Sequence, residues 1–133
     1  MNTEKIVILD TSMLMLPSER KINISYELER ILPIQIKIVV PGVVIHELET
    51  LIKKSSPSIR QKARLALMLS KQFSLLDTHF KENADLEIKR LAEELNAIVA
   101  TNDSELRLKL REKGIPVISI RGDNKLELFG TLE

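Results

Sequence analysis

The chain lacks cysteine and tryptophan altogether, and it has four glycines and five prolines among 133 residues. The absence of cysteine excludes disulfide bonds, thiol nucleophiles and thiolate zinc sites. Aromatic residues make up 3% of the chain, so stacking of bases on exposed rings is not expected to dominate any nucleic-acid recognition. No glycines cluster after an apolar run, which argues against a phosphate-binding loop of the nucleotide-binding type.

Long apolar runs and a surplus of one charge are also missing. No run approaches the roughly 20 residues that cross a bilayer, and the amino terminus has no secretory pattern, so we expect a cytoplasmic protein without a membrane partner. The net charge is +1, and any binding of a polyanion therefore needs a local basic patch. With 44% hydrophobic residues, the length predicts one folded domain spanning residues 1–133.

Short apolar runs rich in Ile and Val alternate with helical patterns. The runs lie at residues 6–9, 36–40, 73–76, 97–100 and 116–120, with a candidate edge strand at 126–129. Helical spacing predicts a helix capped by Ser25 and stopped by Pro33, and further helices over 42–54, 58–72, 84–95 and 103–113. The pattern predicts a three-layer α/β/α fold around a mainly parallel sheet of about five strands.

Acidic side chains recur where the predicted strands and helices meet one edge of the sheet. Asp10 and Asp103 come at or just after strand ends, as does Asp77. Asp85 opens a helix, and Glu47 lies near the apolar stripe of another, so both are expected to border packed surfaces. For any single one of these residues turn formation is a sufficient explanation. Ligands of open α/β sheets bind outside the carboxyl ends of the strands, so together these residues predict a site there.

The electrostatics of such a cluster favour a divalent cation. Two carboxylates about 5 Å apart repel by roughly 3 kcal/mol at an effective dielectric constant near 20. Four carboxylates at Asp10, Glu47, Asp85 and Asp103 would be costly to bring together unless a cation lies among them. Oxygen ligands of this kind suit Mg²⁺ or Mn²⁺.

The segments that carry these acids resemble the PIN-domain nucleases along nearly the whole chain. The resemblance rests on residues 8–14, 43–49, 84–88 and 99–106. It implies a strand order of 3-2-1-4-5 and metal-assisted hydrolysis of RNA phosphodiester bonds by an endonuclease. The implied catalytic and metal-binding residues are Asp10, Glu47, Asp85 and Asp103, with Ser12 and Thr101 as supporting hydroxyl groups. Leu86 departs from the family pattern, in which a second Asp often follows the third acid.

The resemblance also implies partners. Residues 106–129 look like the branch of PIN endonucleases that process ribosomal RNA, while the toxin nucleases of toxin–antitoxin pairs share the same acids. The expected partners are therefore RNA and either an antitoxin or a ribosome-assembly protein. Residues 63–69 are apolar on more than one side, and related proteins dimerise near such helices, so a homodimer is expected.

Four alternatives bear on these predictions. The candidate RNA contacts Lys53, Lys54, Arg60, Lys62 and Arg64 lie in a stretch without acids that equally fits a solvated helix face. Acid–base ribonuclease chemistry would need His46 and His79 across one phosphate, which is disfavoured. An aspartyl-phosphate phosphatase needs a second Asp where Ser12 stands. A PIN-like domain that binds RNA or protein without cutting remains the main non-enzyme alternative.

Overall fold

The structure is a computed structural model that describes residues 4–78 and 83–132, so His79 lies outside the described residues. Within these ranges the strands are β1 Lys5–Leu9, β2 Ile36–Pro41, β3 Ser74–Leu76, β4 Ile98–Ala100, β5 Val117–Arg121 and β6 Lys125–Phe129. The α-helices are α1 Thr11–Met15, α2 Ile24–Ile31, α3 Gly42–Lys54, α4 Pro57–Ser70, α5 Ala84–Leu95 and α6 Ser104–Glu112, and a 3-10 helix spans Leu16–Ser18. None of the helices in these ranges could span a membrane.

The strands form one sheet in the order β3-β2-β1-β4-β5-β6. Every pairing among the first five strands is parallel, and β6 pairs antiparallel with β5 at the edge. The expected order 3-2-1-4-5 is therefore confirmed, with the sixth strand added where a candidate edge strand was predicted. The three-layer α/β/α class is confirmed as well.

The strand β1 is a central strand of the sheet and contributes to the buried core. Val7, Ile8 and Leu9 are completely buried, because β1 lies between β2 and β4 and helices cover both faces. The first crossovers lead outward from β1 to β2 and β3, and the later ones lead from β3 back across the sheet to β4 and β5. Because crossover connections are right-handed, α5 and α6 lie on the face opposite α1, α2 and α4. The result is that β1 and β4 end side by side in the middle of one sheet edge.

Local capping corrects one predicted helix start. Asn23, rather than Ser25, caps α2, and its side chain accepts a hydrogen bond from the Tyr26 amide. The apolar Ile24 therefore belongs to the helix and is buried in the core. The helix α1 was not predicted, since five residues are too few to show helical spacing.

The helices α3 and α4 form an antiparallel hairpin attached to one edge of the sheet. The helix α3 starts directly after β2, and three residues separate the end of α4 from β3. The residues of β3 pair with the last residues of β2. Both attachments are therefore near the same sheet edge. A helix of 13 residues is about 20 Å long, so the connection at Ser55 and Ser56 lies at the far end of the hairpin.

Two buried glutamates, Glu27 and Glu87, are each bonded to an arginine of their own helix. Glu27 accepts hydrogen bonds from the guanidinium of Arg30 at 2.8 and 3.2 Å and from the Leu126 amide at 2.9 Å, which ties α2 to β6. Glu87 accepts from Arg90 at 2.8 and 3.2 Å within α5. Each buried carboxylate is thus paired with a partly exposed arginine three residues later, which compensates its charge.

Candidate active site

The register of the central strands places the first two site residues next to each other. Leu9 of β1 pairs with Ala100 of β4, so Asp10 and Thr101 follow at the same level of the sheet edge. The Asp10 amide donates to the Ala100 carbonyl at 3.2 Å and extends this pairing. Asp10 is 5% exposed and Thr101 is fully buried. The parallel sheet therefore brings these two residues together across 91 positions of sequence.

The carboxylate of Asp10 accepts hydrogen bonds from three residues. The Met13 amide donates at 2.8 Å, which also caps α1. The Ser12 hydroxyl lies 2.8 and 3.0 Å from the two carboxylate oxygens, and the Thr101 hydroxyl donates to Oδ2. No arginine or lysine pairs with this carboxylate in the part of the chain that the structure describes.

The two hydroxyl groups connect Asp10 to the loop that carries Asp103. The Ser12 oxygen accepts from the Asn102 amide at 2.9 Å, and the Thr101 oxygen accepts from the Asp103 amide at 3.0 Å. The two hydroxyl oxygens lie 3.3 Å apart. Ser12 and Thr101 therefore hold the loop after β4 against the Asp10 carboxylate.

Asp103 begins α6 as its N-cap. One of its oxygens accepts from the Glu105 amide at 2.9 Å and from the Leu106 amide at 3.2 Å. The other oxygen has no such partner in the described structure, and Asp103 is exposed at the sheet edge. The cap thus fixes the direction of the carboxyl group while leaving an oxygen available.

Burial perturbs the titration of the central acid. Desolvation raises the pKa of Asp10 to about 6, against the lowering effect of the hydrogen bonds from Thr101, Met13 and Ser12. The negative charge of Asp103 also contributes to this rise of the Asp10 pKa. A carboxyl group that is buried without a cation is costly to ionise, and a bound cation would relieve that cost.

The pKa of Asp85 is also raised by burial and by neighbouring acids. Burial raises the pKa of Asp85, and the charges of Asp103 and Glu105 raise it further, while Lys109 lowers it. Asp85 lies in the first turn of α5 and is half-buried, as its helical position predicts. Its electrostatic coupling to Asp103, and that of Asp103 to Asp10, places these three carboxyl groups in one region.

Glu47 differs from the sequence expectation. It is exposed, although its spacing from Val43 and Leu51 predicted a place beside the packed face. The buried residues of α3 are Val43, Val44 and Leu48, and Glu47 lies outside this stripe. The Thr11 hydroxyl donates to Oε1 of Glu47, and Thr11 directly follows Asp10. Glu47 is therefore attached to the same edge through a single hydroxyl group.

The donor set suits a hard cation, with few direct protein ligands. Carboxylate and hydroxyl oxygens are the only donors among Asp10, Glu47, Asp85, Asp103, Ser12 and Thr101, which fits Mg²⁺ or Mn²⁺. In residues 4–78 and 83–132, no three acidic or histidine side chains are arranged to hold one ion together. Magnesium binds through one or two carboxylates and keeps several waters, so this arrangement fits an ion held by part of the set.

The candidate RNA contacts lie on the hairpin of α3 and α4. Lys53 and Lys54 end α3, and the other three are Arg60, Lys62 and Arg64 of α4. Arg60 and Lys62 are half-buried and the rest are exposed. Nε of Arg60 is buried without a hydrogen-bond partner in the structure. His46, on the same hairpin, is exposed beside Glu47.

Two hydroxyl residues of the site were not identified from the sequence. Thr11 holds Glu47, and Ser119 of β5 donates to the Thr101 carbonyl at 2.7 Å and so fixes the turn after β4. Ser119 is buried at the end of an apolar run, where a lone polar residue indicates a bond to a neighbouring strand end. For Thr11 the available signal was its position directly after the strand-end Asp10.

Comparisons with known proteins identify the family of the chain. A family model described as a PIN like domain matches residues 7–123 of the chain. The chain belongs to the PIN-domain family. Ribonuclease VapC4 of Methanocaldococcus jannaschii is 39% identical over 127 residues, which cover 93% of this chain and 96% of that protein. Ribonuclease VapC9 of Archaeoglobus fulgidus is 33% identical over 79 residues, covering 56% of this chain and 57% of the relative.

Two solved structures share the fold of this chain. The structure of the PIN domain endonuclease Utp24 superimposes with a TM-score of 0.80 and 27% identity, covering 96% of this chain and 93% of the other. A domain of a functionally unknown protein from Methanocaldococcus jannaschii gives a TM-score of 0.65 at 19% identity, over 97% and 99% of the two chains. The second likeness concerns the fold alone.

Proposed function

We propose that this PIN domain, spanning residues 1–133, is a Mg²⁺- or Mn²⁺-dependent endoribonuclease. The observation that carries the proposal is Asp10, a buried carboxyl group held by Ser12, Thr101 and the Met13 amide, with which no lysine or arginine of residues 4–78 and 83–132 forms an ion pair. The ribonuclease names of the VapC relatives and the endonuclease title of the Utp24 structure support RNA as the substrate.

We assign different roles to the four acidic residues according to their positions. We assign metal binding first to Asp10 and Asp103, which the Ser12–Thr101 network holds against each other. Asp85 and Glu47 are assigned to orient water or to complete the ligand set, since each reaches the edge from a separate helix. A divalent ion supplies Lewis-acid activation of the phosphate and lowers the pKa of a bound water.

The hairpin is the proposed track for the RNA backbone. No acidic residue occurs from Leu51 to Leu76, while six basic residues do: Lys53, Lys54, Arg60, Lys62, Arg64 and Lys71. The hairpin starts at the sheet edge beside Glu47, so a strand that follows it leads to the acidic site. The neutral total charge of the chain makes this local patch the main electrostatic attraction for RNA.

Protein partners are proposed from the same helices and relatives. Leu65 and Met68 of α4 are 43% and 66% exposed, and we propose that they contribute to a homodimer contact. An antitoxin is the proposed partner in a toxin role, and a ribosome-assembly protein in an RNA-processing role. Both roles place the protein in the cytoplasm. Light scattering on the purified chain, with Met68→Lys as the variant, tests the dimer.

The decisive experiment measures cleavage of structured RNA by the purified protein. We expect cleavage with Mn²⁺ or Mg²⁺, none with a chelator, and none by the Asp10→Asn variant with the metal present. A wild-type protein that binds RNA without cutting it under any metal condition would instead support the non-catalytic alternative.

A further inference from the structure

Lys109 is a cation that reaches the acidic edge from the α6 side. Its ammonium lies 3.3 Å from Oε1 of Glu105, one helical turn earlier on α6. Both side chains are more than half exposed, so the pair is weak and either partner can leave it with little cost. Lys109 is therefore positioned near the site without being fixed there.

The position of this pair follows from the cap of α6. The carboxylate of Asp103 accepts from the Glu105 amide at 2.9 Å, so the backbone at Glu105 is fixed to a residue of the acidic site. Glu105 in turn contacts the Lys109 ammonium, so this cation lies close to the capped end of α6. Lys109 thus lies beside the acidic edge on the α6 side, near the residue that Asp103 caps.

An acidic site that receives a polyanion needs such a cation. Phosphates that flank the cleaved bond approach Asp85 and Asp103, and like charges in partly buried surroundings repel over several ångströms. The basic residues on the hairpin of α3 and α4 lie on the other side of the edge. Without a cation on the α6 side, one flank of the RNA would meet carboxylates alone.

We propose that Lys109 binds an RNA phosphate next to the cleaved bond, exchanging its contact with Glu105 for a non-bridging phosphate oxygen. The proposal rests on the proposed ribonuclease function and adds to it a substrate contact on α6. In this arrangement the RNA backbone crosses the acidic edge between two basic surfaces. One is the hairpin of α3 and α4, and the other is Lys109 on α6.

The primary test compares Lys109→Met with Lys113→Met, an exposed lysine at the end of the same helix. RNA affinity is measured by fluorescence anisotropy in EDTA, where no cleavage occurs, over a series of salt concentrations. We expect Lys109→Met to weaken binding by roughly three- to ten-fold and to reduce the slope of log affinity against log salt by about 0.7–0.9. Lys113→Met should leave both near the wild-type values.

A second readout separates a substrate contact from a structural role. Removing a positive charge near Asp85 should tighten Mn²⁺ binding by about two-fold in calorimetry without RNA, while RNA binding weakens. Lys109→Arg should restore RNA affinity, because it keeps the charge. If Lys109 only supported α6, both affinities would fall together.

The outcomes also separate this inference from the proposed function. Equal RNA affinity and salt slope for Lys109→Met and Lys113→Met would overturn the role of Lys109, whatever the cleavage assay shows. A difference between the two variants in a protein that never cleaves RNA would support the contact and contradict only the nuclease.

Discussion

The buried acids of this molecule fall into two regions that treat charge in opposite ways. In α2 and α5, Glu27 and Glu87 are 6% and 3% exposed, and each is bonded to the guanidinium of its own arginine. At the sheet edge, Asp10 is buried to the same degree but is held by hydroxyl groups and an amide. Among the residues that the structure describes, an arginine therefore pairs with Glu27 and with Glu87, and no lysine or arginine pairs with Asp10.

The pKa values of Glu27 and Asp10 reflect this difference in counter-charge. Hydrogen bonds from Arg30 lower the pKa of Glu27, whereas desolvation raises the pKa of Asp10 to about 6. A lowered pKa means that folding favours the ionised acid, and a raised one means that ionisation opposes folding. In the proposed metal-dependent nuclease, a bound cation would supply the positive charge that Glu27 receives from Arg30.

Replacing Asp10 should have the largest effect on activity. We expect Asp10→Asn to lower metal-dependent RNA cleavage by at least about 100-fold, since even indirect partners of metal ligands commonly contribute 10- to 100-fold. The matched control is Asp77→Asn, an exposed aspartate that also follows a strand at this edge. Comparable losses in the two variants would mean that Asp10 has no special role.

The same substitution should stabilise the metal-free protein. Because the folded pKa of Asp10 lies near 6 and its ordinary value is 3.8, stability is lost as the pH rises from 3.8 through 6. The loss amounts to about 3 kcal/mol above pH 6. Urea unfolding in EDTA should therefore show Asp10→Asn more stable than wild type at pH 7.5 and the two similar at pH 4. A less stable variant at pH 7.5 would contradict the assigned burial cost.

Thr101→Val tests the hydroxyl network while keeping the shape of the side chain. The variant loses the donor to Asp10 and the acceptor for the Asp103 amide. We expect Mn²⁺ affinity and cleavage to fall by about 10- to 100-fold, and the ascending limb of the pH profile to move to higher pH. Ser119→Ala, which removes a bond to the Thr101 carbonyl only, should have a smaller effect on both measurements.

Glu27→Gln should alter stability and leave the chemistry unchanged. The amide keeps an acceptor for Leu126 but loses the charge that pairs with the partly exposed Arg30, so we expect a loss of about 1–2 kcal/mol at pH 7. Because the pKa of Glu27 is lowered, this contribution is present above its unfolded value and lost as the pH falls through the folded one. Unfolding curves at several pH values, with cleavage measured per folded molecule, check both parts.

Much of the fold followed from periodicity, because strands buried on both faces leave continuous apolar runs. The runs before Asp10 and Asp103 predicted β1 and β4, and both acids lie at the predicted edge. The start of α2 was misplaced because Asn23 and Ser25 are both good N-caps, and burial of Ile24 decides between them. Such a choice depends on tertiary packing, which local sequence does not contain.

The site was predictable only in part for a similar reason. Strand ends can be located from the sequence, but which hydroxyl faces which carboxylate depends on the register between strands. Ser12 and Thr101 were expected from the family resemblance alone, and the bonds of Thr11 and Ser119 required the three-dimensional arrangement. The exposure of Glu47 likewise depends on where the hairpin leaves the sheet.

The most direct test of the contrast between the two kinds of buried acid is Mn²⁺ binding, measured by calorimetry at pH 7.5 on wild type, Asp10→Asn and Glu27→Gln. We expect Glu27→Gln to bind Mn²⁺ like the wild type despite its lower stability, and Asp10→Asn to lose most of the binding while its metal-free fold gains stability. Equal Mn²⁺ affinity in all three proteins would contradict the assignment of Asp10 to a cation site.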